Sequence, residues 1–207
     1  MGILHCAGKL FIFVKMDKSL YIIAGCNGAG KTTASFTILP EILNCKEFVN
    51  ADEIAKGLSP FQPETVAFEA GRIMLYRVNE LLKDGKTFAL ETTLATKSYK
   101  PKILEAQKNG YKVRLLFFWL NDVELAINRV ATRVAEGGHN IPTDVIERRY
   151  VNGIKNLFDI YISIVDEVMI FDNTDGIPKL IAGRKRTENL TIIEQNKFDI
   201  LKNQYHG

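Results

Sequence analysis

One stretch of the chain decides its fold: Gly25-Cys26-Asn27-Gly28-Ala29-Gly30-Lys31-Thr32. It matches the pattern G-x-x-x-x-G-K-[ST], and it lies between a strand-like apolar segment, residues 20–24, and a helical segment, residues 33–39. Glycines let the backbone curl so that successive N–H groups converge on phosphate oxygens, and the following helix adds the positive end of its dipole. We therefore predict a phosphate-binding loop in which Lys31 contacts the β- and γ-phosphates, Thr32 is a ligand of Mg²⁺ and Thr33 completes the cradle.

The composition is that of one ordinary soluble domain. The chain has 207 residues, of which 46% are hydrophobic and 25% charged, and its formal net charge is +3. This charge is too mild to predict nucleic-acid binding, and the longest strictly apolar run, residues 115–120, is far shorter than the ~20 residues of a membrane-spanning helix. The three cysteines have neither disulfide-framework nor zinc-site spacing. We expect a cytoplasmic protein with no membrane or nucleic-acid partner.

Strand-length apolar runs alternate with helical patterns, which predicts an α/β protein with a mainly parallel sheet. One long helix should begin at Pro63 and stop at Gly85, and another should have Asn121 as its N-cap with Glu124 as capping partner. A third should begin at Pro142. The predicted strands are residues 19–24, 47–50, 87–90, 113–120 and 168–172, with a short sixth at 190–194.

Acidic residues follow two of the predicted strands. Asp52 and Glu53 come directly after the second strand, and Glu91 and Thr93 end the third. Because the carboxyl ends of parallel strands share one edge, we expect these residues to line an acceptor site beside the phosphate loop. Asp52 would accept or orient the proton of an acceptor hydroxyl, and Glu91 would hold a Mg²⁺-bound water or contact the acceptor. The competing interpretations are that Asp52 caps a helix beginning near Glu53 and that Glu91 faces solvent.

Arginines are predicted to supply positive charge over the transferring phosphoryl group. Arg129 and Arg133 are four residues apart and so lie on one helix face, where like charges cost a few tenths of a kcal/mol unless an anion lies between them. A glycine-rich loop, residues 136–142, follows, and then come Arg148 and Arg149. This pattern predicts a helical lid that closes over a triphosphate. For Arg148 and Arg149, a solvated helix face explains the sequence equally well.

Other classes of nucleotide-binding protein have less support. Residues 196–199 spell the guanine-binding pattern N-K-x-D, but the chain contains no D-x-x-G, so we interpret the match as a coincidence. The chain also has no signature resembling the S-G-G-Q of ABC-type ATPases. A small-molecule kinase fits best. The alternatives are a nucleotide or other metabolite kinase without a toxin role, and an ATP-binding regulatory module.

The order and spacing of these motifs resemble those of the zeta toxin kinases. The resemblance rests on residues 25–32, Asn-Ala-Asp-Glu at 50–53, Glu-Thr-Thr-Leu at 91–94 and the segment of Arg129 and Arg133, and it covers residues 19 to about 172. It implies a three-layer P-loop fold with a five-stranded, mainly parallel sheet, adenylate-kinase-like topology and a helical lid. It also implies ATP and Mg²⁺ as cofactors, a hydroxyl of UDP-N-acetylglucosamine as phosphoryl acceptor, and a small antitoxin protein as partner.

The resemblance assigns roles to single positions. Arg129 matches one lid arginine, and Arg133 is our choice for the second, with Arg148 next. The family's P-loop lysine matches Lys31, and its acceptor-facing aspartate matches Asp52. Its two substrate contacts at the third strand match Glu91 and Thr93.

One position departs from the family pattern. Ala95 stands where the family has an arginine for the phosphates of its substrate, and Lys97, two residues on, is the candidate replacement. This departure weakens the assignment of a UDP-sugar and leaves the kinase chemistry unaffected. We expect residues 1–15 to be an N-terminal extension and residues 16–207 to form a single P-loop kinase domain.

Overall fold

The chain alternates strands and helices, as the sequence predicts. The structure is a computed structural model that describes residues 3–6, 9–12, 18–138, 140–185 and 188–206, the first two ranges as backbone only. The strands are β1 (Ile3–Cys6), β2 (Lys9–Ile12), β3 (Ser19–Ala24), β4 (Glu47–Val49), β5 (Phe88–Thr92), β6 (Lys112–Trp119), β7 (Glu167–Asp172), β8 (Lys179–Lys185) and β9 (Thr191–Ile192). The helices are α1 (Lys31–Thr37), α2 (Ala51–Leu58), α3 (Ala67–Lys83), α4 (Tyr99–Lys108), α5 (Val123–Ala135), α6 (Thr143–Asn156), α7 (Ile162–Ile164) and α8 (Gln195–His206). Shorter π- or 3₁₀-helical turns are Ile38–Ile42, Pro63–Val66 and Leu157–Tyr161.

The main sheet has the strand order β4-β5-β3-β6-β7-β8-β9. The strands from β4 to β7 are parallel, and they correspond to the five strands that the sequence predicts. Antiparallel β8 and β9 extend the sheet to seven strands, so the prediction of a five-stranded sheet is too small. The predicted sixth strand, residues 190–194, corresponds to the shorter strand β9. Strand β8 was not predicted.

Strands β1 and β2 form a separate antiparallel pair within the predicted N-terminal extension. The division into an extension and a single domain stays a prediction. Among the described residues, none of the helices combines the length and apolarity needed to cross a membrane.

Continuous apolar sequence explains why the central strands are buried. All six residues of β3 are buried, as expected for a parallel strand covered on both faces. Helix α3 adds a buried stripe to the core, formed by Met74, Val78, Leu81 and Leu82. The P-loop therefore follows a fully buried strand that lies between two other parallel strands.

The helix starts differ from the prediction by small shifts. The N-cap of α5 is Asp122 rather than Asn121, because the carboxylate of Asp122 accepts a hydrogen bond from the backbone N–H of Glu124 (3.1 Å). Pro63 begins a 3₁₀ turn that leads into α3 rather than the α-helix itself. Pro142 directly precedes α6, as expected.

Helix α8 is fixed to the edge of the sheet where the parallel strands end. The Gln204 side chain accepts hydrogen bonds from Trp119 Nε1 (2.9 Å) and the Tyr150 hydroxyl (3.1 Å), and it donates to the Asn121 carbonyl (2.7 Å). Lys197, the lysine of the N-K-x-D match, lies 2.9 Å from the Asp172 carboxylate. These contacts give that segment a structural role and support its interpretation as a coincidental match.

Candidate active site

The P-loop connects β3 to α1 and requires glycine at three positions: Gly25, Gly28 and Gly30. Gly28 and Gly30 have φ values of 78° and 79°, a left-handed conformation that favours glycine. A Cβ atom on Gly30 would lie 2.5 Å from Asn173 Nδ2, and one on Gly28 would lie 2.8 Å from the Ala126 carbonyl oxygen. Neighbouring strands and helices therefore pack directly onto the loop backbone, which holds the cradle in shape.

The charged end of the P-loop is held by Glu91 at the end of β5. The Thr32 hydroxyl donates to both carboxylate oxygens of Glu91, at 3.1 and 2.9 Å, and Asn50 Nδ2 donates to one of them at 3.0 Å. Lys31 Nζ lies 3.6 Å from Glu91 and donates to the Cys26 carbonyl at 2.9 Å, and this lysine is only 6% exposed. Glu91 thus faces the P-loop and not solvent.

Asp52 is not the helix cap that the competing interpretation requires. The N-cap of α2 is Asn50, whose side-chain oxygen accepts from the Asp52 backbone N–H at 2.8 Å. Among the described residues, the Asp52 carboxylate has no hydrogen-bond or ion-pair partner. Glu53, one residue further round the helix, forms an exposed ion pair with Lys56 at 2.6 Å. The helical turn therefore separates the two acids, and Glu53 lies outside the cavity that Asp52 lines.

Cys26 is a buried P-loop residue. Burial raises the pKa of its thiol to about 11, although the positive charge of Lys31 opposes the shift. The thiol is therefore protonated at neutral pH, and its contribution to the loop is the backbone carbonyl that Lys31 contacts.

The segment after β5 is strained and tightly held. Leu94 has a φ of 59°, which is rare for a residue other than glycine, and its N–H donates to the Thr92 hydroxyl at 3.0 Å. Its carbonyl accepts from Asn156 on α6 at 2.9 Å. A Cβ atom on Gly153 of α6 would lie 2.8 Å from the Thr93 carbonyl oxygen. Helix α6 thus packs closely against the segment that carries Thr93, and backbone strain of this kind concentrates at functional sites.

Two cavities meet at the P-loop. The acceptor cavity, as we call the first, has a volume of about 190 Å³. It is lined by residues of the P-loop, α2, β5 with the segment after it, and α6, and these include Asn27, Lys31, Asp52, Glu91, Thr93 and Arg149. The nucleoside cavity, on the other side of the loop, has a volume of about 600 Å³ and is lined by residues that include Gly30, Thr33, Arg129, Phe171, Asn173 and Pro178.

The predicted lid arginines do not face the acceptor cavity. The Arg129 guanidinium donates to the carbonyls of Asn173 (3.1 Å), Thr174 (2.7 Å) and Gly28 (3.4 Å), which fixes α5 to the P-loop and to the segment after β7. In Arg133, Nε and Nη2 are buried without a hydrogen-bond partner among the described residues. Neither side chain lines the acceptor cavity, and Arg129 lines the nucleoside cavity instead.

Arg149 is the arginine that lines the acceptor cavity. Its Nη1 donates to the Asn27 side-chain oxygen at 3.2 Å, so the guanidinium spans from α6 to the P-loop. Arg148 beside it is exposed. Lys97, the predicted substrate contact, is also exposed, on the turn before α4, and does not line the cavity. The sequence offered one signal for Arg149, a basic pair after a glycine-rich loop, but not which member faces inward.

A family comparison agrees with this geometry. The sequence model of the zeta toxin family matches residues 13–184. The chain belongs to the zeta toxin family. The predicted resemblance to this family is confirmed.

Relatives of this zeta toxin family member include proteins of known structure. A crystal structure of AvrRxo1-ORF1:AvrRxo1-ORF2 with sulphate ions superimposes with a TM-score of 0.74 at 17% identity, covering 90% of this chain and 64% of that one. A structure from the PezAT toxin-antitoxin system of Streptococcus pneumoniae gives a TM-score of 0.62 at 16% identity, covering 93% and 87%. An uncharacterized Haemophilus influenzae protein is 29% identical over 139 residues, which is 67% of this chain and 96% of that protein. The structural neighbours support the fold, and this chain spans less than two thirds, 64%, of the length of the first.

The donor set fits magnesium bound together with a nucleotide. The described residues contain no cluster of three or more His, Cys, Asp or Glu side chains arranged to hold a metal ion on their own. Mg²⁺ in phosphotransferases is usually held by one or two protein oxygens, several waters and the phosphates. The Thr32 hydroxyl and the Glu91 carboxylate, 2.9 Å apart at the start of α1, are oxygen donors of that kind.

Proposed function

We propose that this zeta toxin family member is a Mg²⁺- and ATP-dependent small-molecule kinase that transfers the γ-phosphoryl group to a hydroxyl. The observation that carries the proposal is the acceptor cavity, in which the unpaired Asp52 carboxylate and the P-loop Lys31 line one small space. A general base within reach of a bound phosphoryl donor is the minimum arrangement for this reaction.

The nucleotide side of the site supports ATP as the donor. The backbone N–H groups of residues 25–32 and the Lys31 ammonium would hold the phosphates, and the nucleoside cavity beside Arg129 would hold the base and ribose. One of the similar structures, AvrRxo1-ORF1:-ORF2 with ATP, has a TM-score of 0.71 to this chain. When bound at Thr32 and Glu91, Mg²⁺ would neutralise phosphate charge.

On the acceptor side, Asp52 orients the acceptor hydroxyl and accepts its proton as the oxygen–phosphorus bond forms. Thr93 donates and accepts hydrogen bonds that fix the acceptor. Arg149, held by Asn27 at the end of the P-loop, stabilises the negative charge of the transferring group. The lid role that the sequence assigned to Arg133 passes in this proposal to Arg149, while Arg129 supports the nucleoside cavity.

A UDP-N-acetylglucosamine-like sugar nucleotide is the acceptor that the resemblance implies, and it is the first compound to test. An antitoxin protein is the corresponding partner, since the similar PezAT structure comes from a toxin-antitoxin system. The identity of the acceptor and of the protein partner goes beyond the transfer of a phosphoryl group, so each needs an experiment of its own.

The test is ATP-dependent phosphorylation by the purified chain with Mg²⁺, with products resolved by mass. Asp52→Asn should lower turnover about 10²- to 10⁴-fold and leave ATP affinity unchanged, because it removes the base and not the phosphate cradle. The matched control is Glu53→Gln, the neighbouring acid that faces solvent, which should keep wild-type turnover. Equal turnover in Asp52→Asn and wild type would contradict the assignment of Asp52 as the base. ATP binding without turnover in the wild-type chain would contradict the kinase function and favour an ATP-binding regulatory module.

A further inference from the structure

We propose that Asn156 and Tyr161 are positioning residues for phosphoryl transfer, which hold residues 93–96, here called the acceptor segment, in register with Arg149. The inference rests on the kinase function proposed above and deepens it. Neither Asn156 nor Tyr161 lines the acceptor cavity, so each would act through groups that do.

The acceptor segment contains a strained residue. Leu94 has a φ of 59°, a conformation that persists at a non-glycine residue only where the surrounding structure fixes it. Its side chain is fully buried, and its N–H donates to the Thr92 hydroxyl at 3.0 Å. Thr93 and Thr96, on either side of Leu94, both line the acceptor cavity. Relaxation of Leu94 to an ordinary backbone conformation would therefore displace the cavity wall.

Asn156 holds the other peptide group of the strained residue. Its side chain is 5% exposed, and its Nδ2 donates to the Leu94 carbonyl at 2.9 Å. A buried carbonyl that loses its donor is unfavourable, so this bond favours the backbone conformation that points the carbonyl toward α6. Leu94 is thus held at its N–H by Thr92 and at its carbonyl by Asn156.

One face of α6 connects this hydrogen bond to the P-loop. Arg149, Gly153 and Asn156 are spaced i, i+4 and i+7, so they lie along the same face of the helix. At one end of this face, Arg149 Nη1 donates to the Asn27 side-chain oxygen at 3.2 Å. In the middle, Gly153 packs so closely that a Cβ atom would lie 2.8 Å from the Thr93 carbonyl oxygen. The helix therefore sets the distance between the arginine and the acceptor segment.

A π-helical turn directly after α6 brings a second donor to the same segment. In this turn the Ile162 N–H bonds to the Leu157 carbonyl, five residues back. Residues five apart lie on one side of such a turn, which an ordinary α-helix does not allow. Tyr161, five residues after Asn156, is fully buried, and its hydroxyl donates to the Thr96 carbonyl at 2.6 Å. Single π turns are frequent at functional sites, and this one fixes the far end of the acceptor segment.

The expected consequence is confined to the transfer step. A displacement of about 1 Å in a group that positions the substrate can lower the rate roughly 10²-fold. The hydrogen bonds of Asn156 and Tyr161 go to the acceptor segment and not to the P-loop, so the binding of ATP should not depend on them.

Asn156→Leu removes the donor and keeps a side chain of similar size. The purified chain is incubated with ATP, Mg²⁺ and a small-molecule extract, and products heavier by one phosphoryl group are measured by mass. Turnover is expressed per ATP-binding site, so that a loss of folded protein does not count as a loss of rate. We expect this turnover to fall about tenfold to a hundredfold, with the dissociation constant of ATP within about twofold of wild type.

The matched control is Gln107→Met, which removes another side-chain amide from a backbone carbonyl. Gln107 Nε2 donates to the Ile164 carbonyl at 2.8 Å, and Gln107 lines neither cavity. This control should keep wild-type turnover per site. Unchanged turnover in Asn156→Leu, or an equal loss in Gln107→Met, would overturn the inference and leave the kinase function intact. A wild-type chain that binds ATP and forms no product would overturn the kinase function and the inference with it.

Tyr161→Phe is a milder test that does not depend on the folding of Asn156→Leu. It removes only the hydroxyl, so turnover per site should fall roughly threefold to tenfold, the range expected for the loss of one hydrogen bond. Tyr111→Phe is its control, because that buried hydroxyl also donates to backbone carbonyls, those of Leu81 (3.0 Å) and Lys86 (2.9 Å). Turnover that follows the free energy of unfolding equally in both tyrosine variants would show a purely structural role and overturn the inference.

Discussion

The nucleoside cavity and the acceptor cavity lie on opposite sides of one P-loop, and they are built differently. The first is about 600 Å³, and its P-loop wall is formed by the left-handed glycines Gly28 and Gly30. The second is about 190 Å³, and charged side chains from separate elements line it, namely Asp52, Glu91 and Arg149. The glycine wall depends on a few neighbouring residues of the chain, whereas the charged wall depends on how distant elements pack together.

Replacing the P-loop lysine should have the largest effect. Lys31→Met removes the ammonium beside Glu91 and the Cys26 carbonyl, so both ATP binding and transfer should weaken, and kcat/KM should fall about 10²- to 10³-fold. Steady-state kinetics in ATP measure this. Lys97→Met, an exposed lysine, should keep the wild-type value. An unchanged kcat/KM in Lys31→Met would show that the P-loop lysine takes no part in the reaction.

A methyl group added to α6 should affect the acceptor cavity alone. In Gly153→Ala, the new Cβ would lie 2.8 Å from the Thr93 carbonyl oxygen and push the segment after β5 out of place. Because small misplacements of reacting groups are costly, we expect kcat/KM for the acceptor to fall roughly tenfold to a hundredfold, with the KM for ATP unchanged. The control is Gly71→Ala in α3, where a Cβ would meet nothing within 4 Å. Equal losses for ATP and acceptor would mean that the two cavities are not independent.

Arg129→Met should affect the nucleoside cavity and leave the acceptor cavity unchanged. Its guanidinium fixes the Asn173 and Thr174 carbonyls beside the nucleoside cavity, so its loss should raise the KM for ATP by about tenfold, or roughly 1.4 kcal/mol. The acceptor KM should stay within about twofold. Titration of each substrate at saturating levels of the other separates the two constants, and a change confined to the acceptor would contradict this assignment.

The smallest effect concerns acid stability at the end of β7. Burial alone would raise the pKa of Asp172, but hydrogen bonds from Thr174 and Lys197 outweigh it and lower the pKa. The charged carboxylate therefore adds stability above its ordinary pKa of about 4, and this stability is lost as the pH falls through the lowered value. Lys197→Met should reduce the free energy of unfolding by about 1 kcal/mol or less near neutral pH, with a smaller difference in strong acid.

Denaturant unfolding at several pH values measures that difference. Lys202→Met on the same helix is the matched control, since Lys202 is exposed. A loss in Lys197→Met that stays constant with pH would show that the ion pair with Asp172 is not its cause.

The nucleotide side was largely predictable from sequence, because its determinants are local. Eight consecutive residues specify the P-loop, and the apolar runs before and after it specify β3 and the parallel strands beside it. Strand β8 was missed because its apolar centre is short and lies between lysine and arginine residues. Asp122 was missed as a cap because Asn121 beside it has the same capping chemistry.

The acceptor side was predictable only in part. The acids at the strand ends were found, since the edge of a parallel sheet is common to all its strands. The sequence did not reveal that Asn50 caps α2 and frees Asp52, or that Arg149 rather than Arg133 lines the cavity. The first is a local choice between neighbouring residues that can both cap a helix. The second depends on how α5 and α6 pack against the sheet, and Gly153 and Asn156 contribute to the packing of α6 through contacts with residues about sixty positions away.

The chain carries its own optical probe. Trp119 is the single tryptophan, it is 1% exposed, and its indole N–H is bound to Gln204. Its carbonyl accepts a hydrogen bond from Asn173, whose side chain in turn donates to the P-loop carbonyl of Ala29. Emission excited above the absorption of the seven tyrosines therefore comes from one indole, linked through two hydrogen bonds to the phosphate cradle. A change in that emission on addition of nucleotide would report binding without a label or a second tryptophan to subtract.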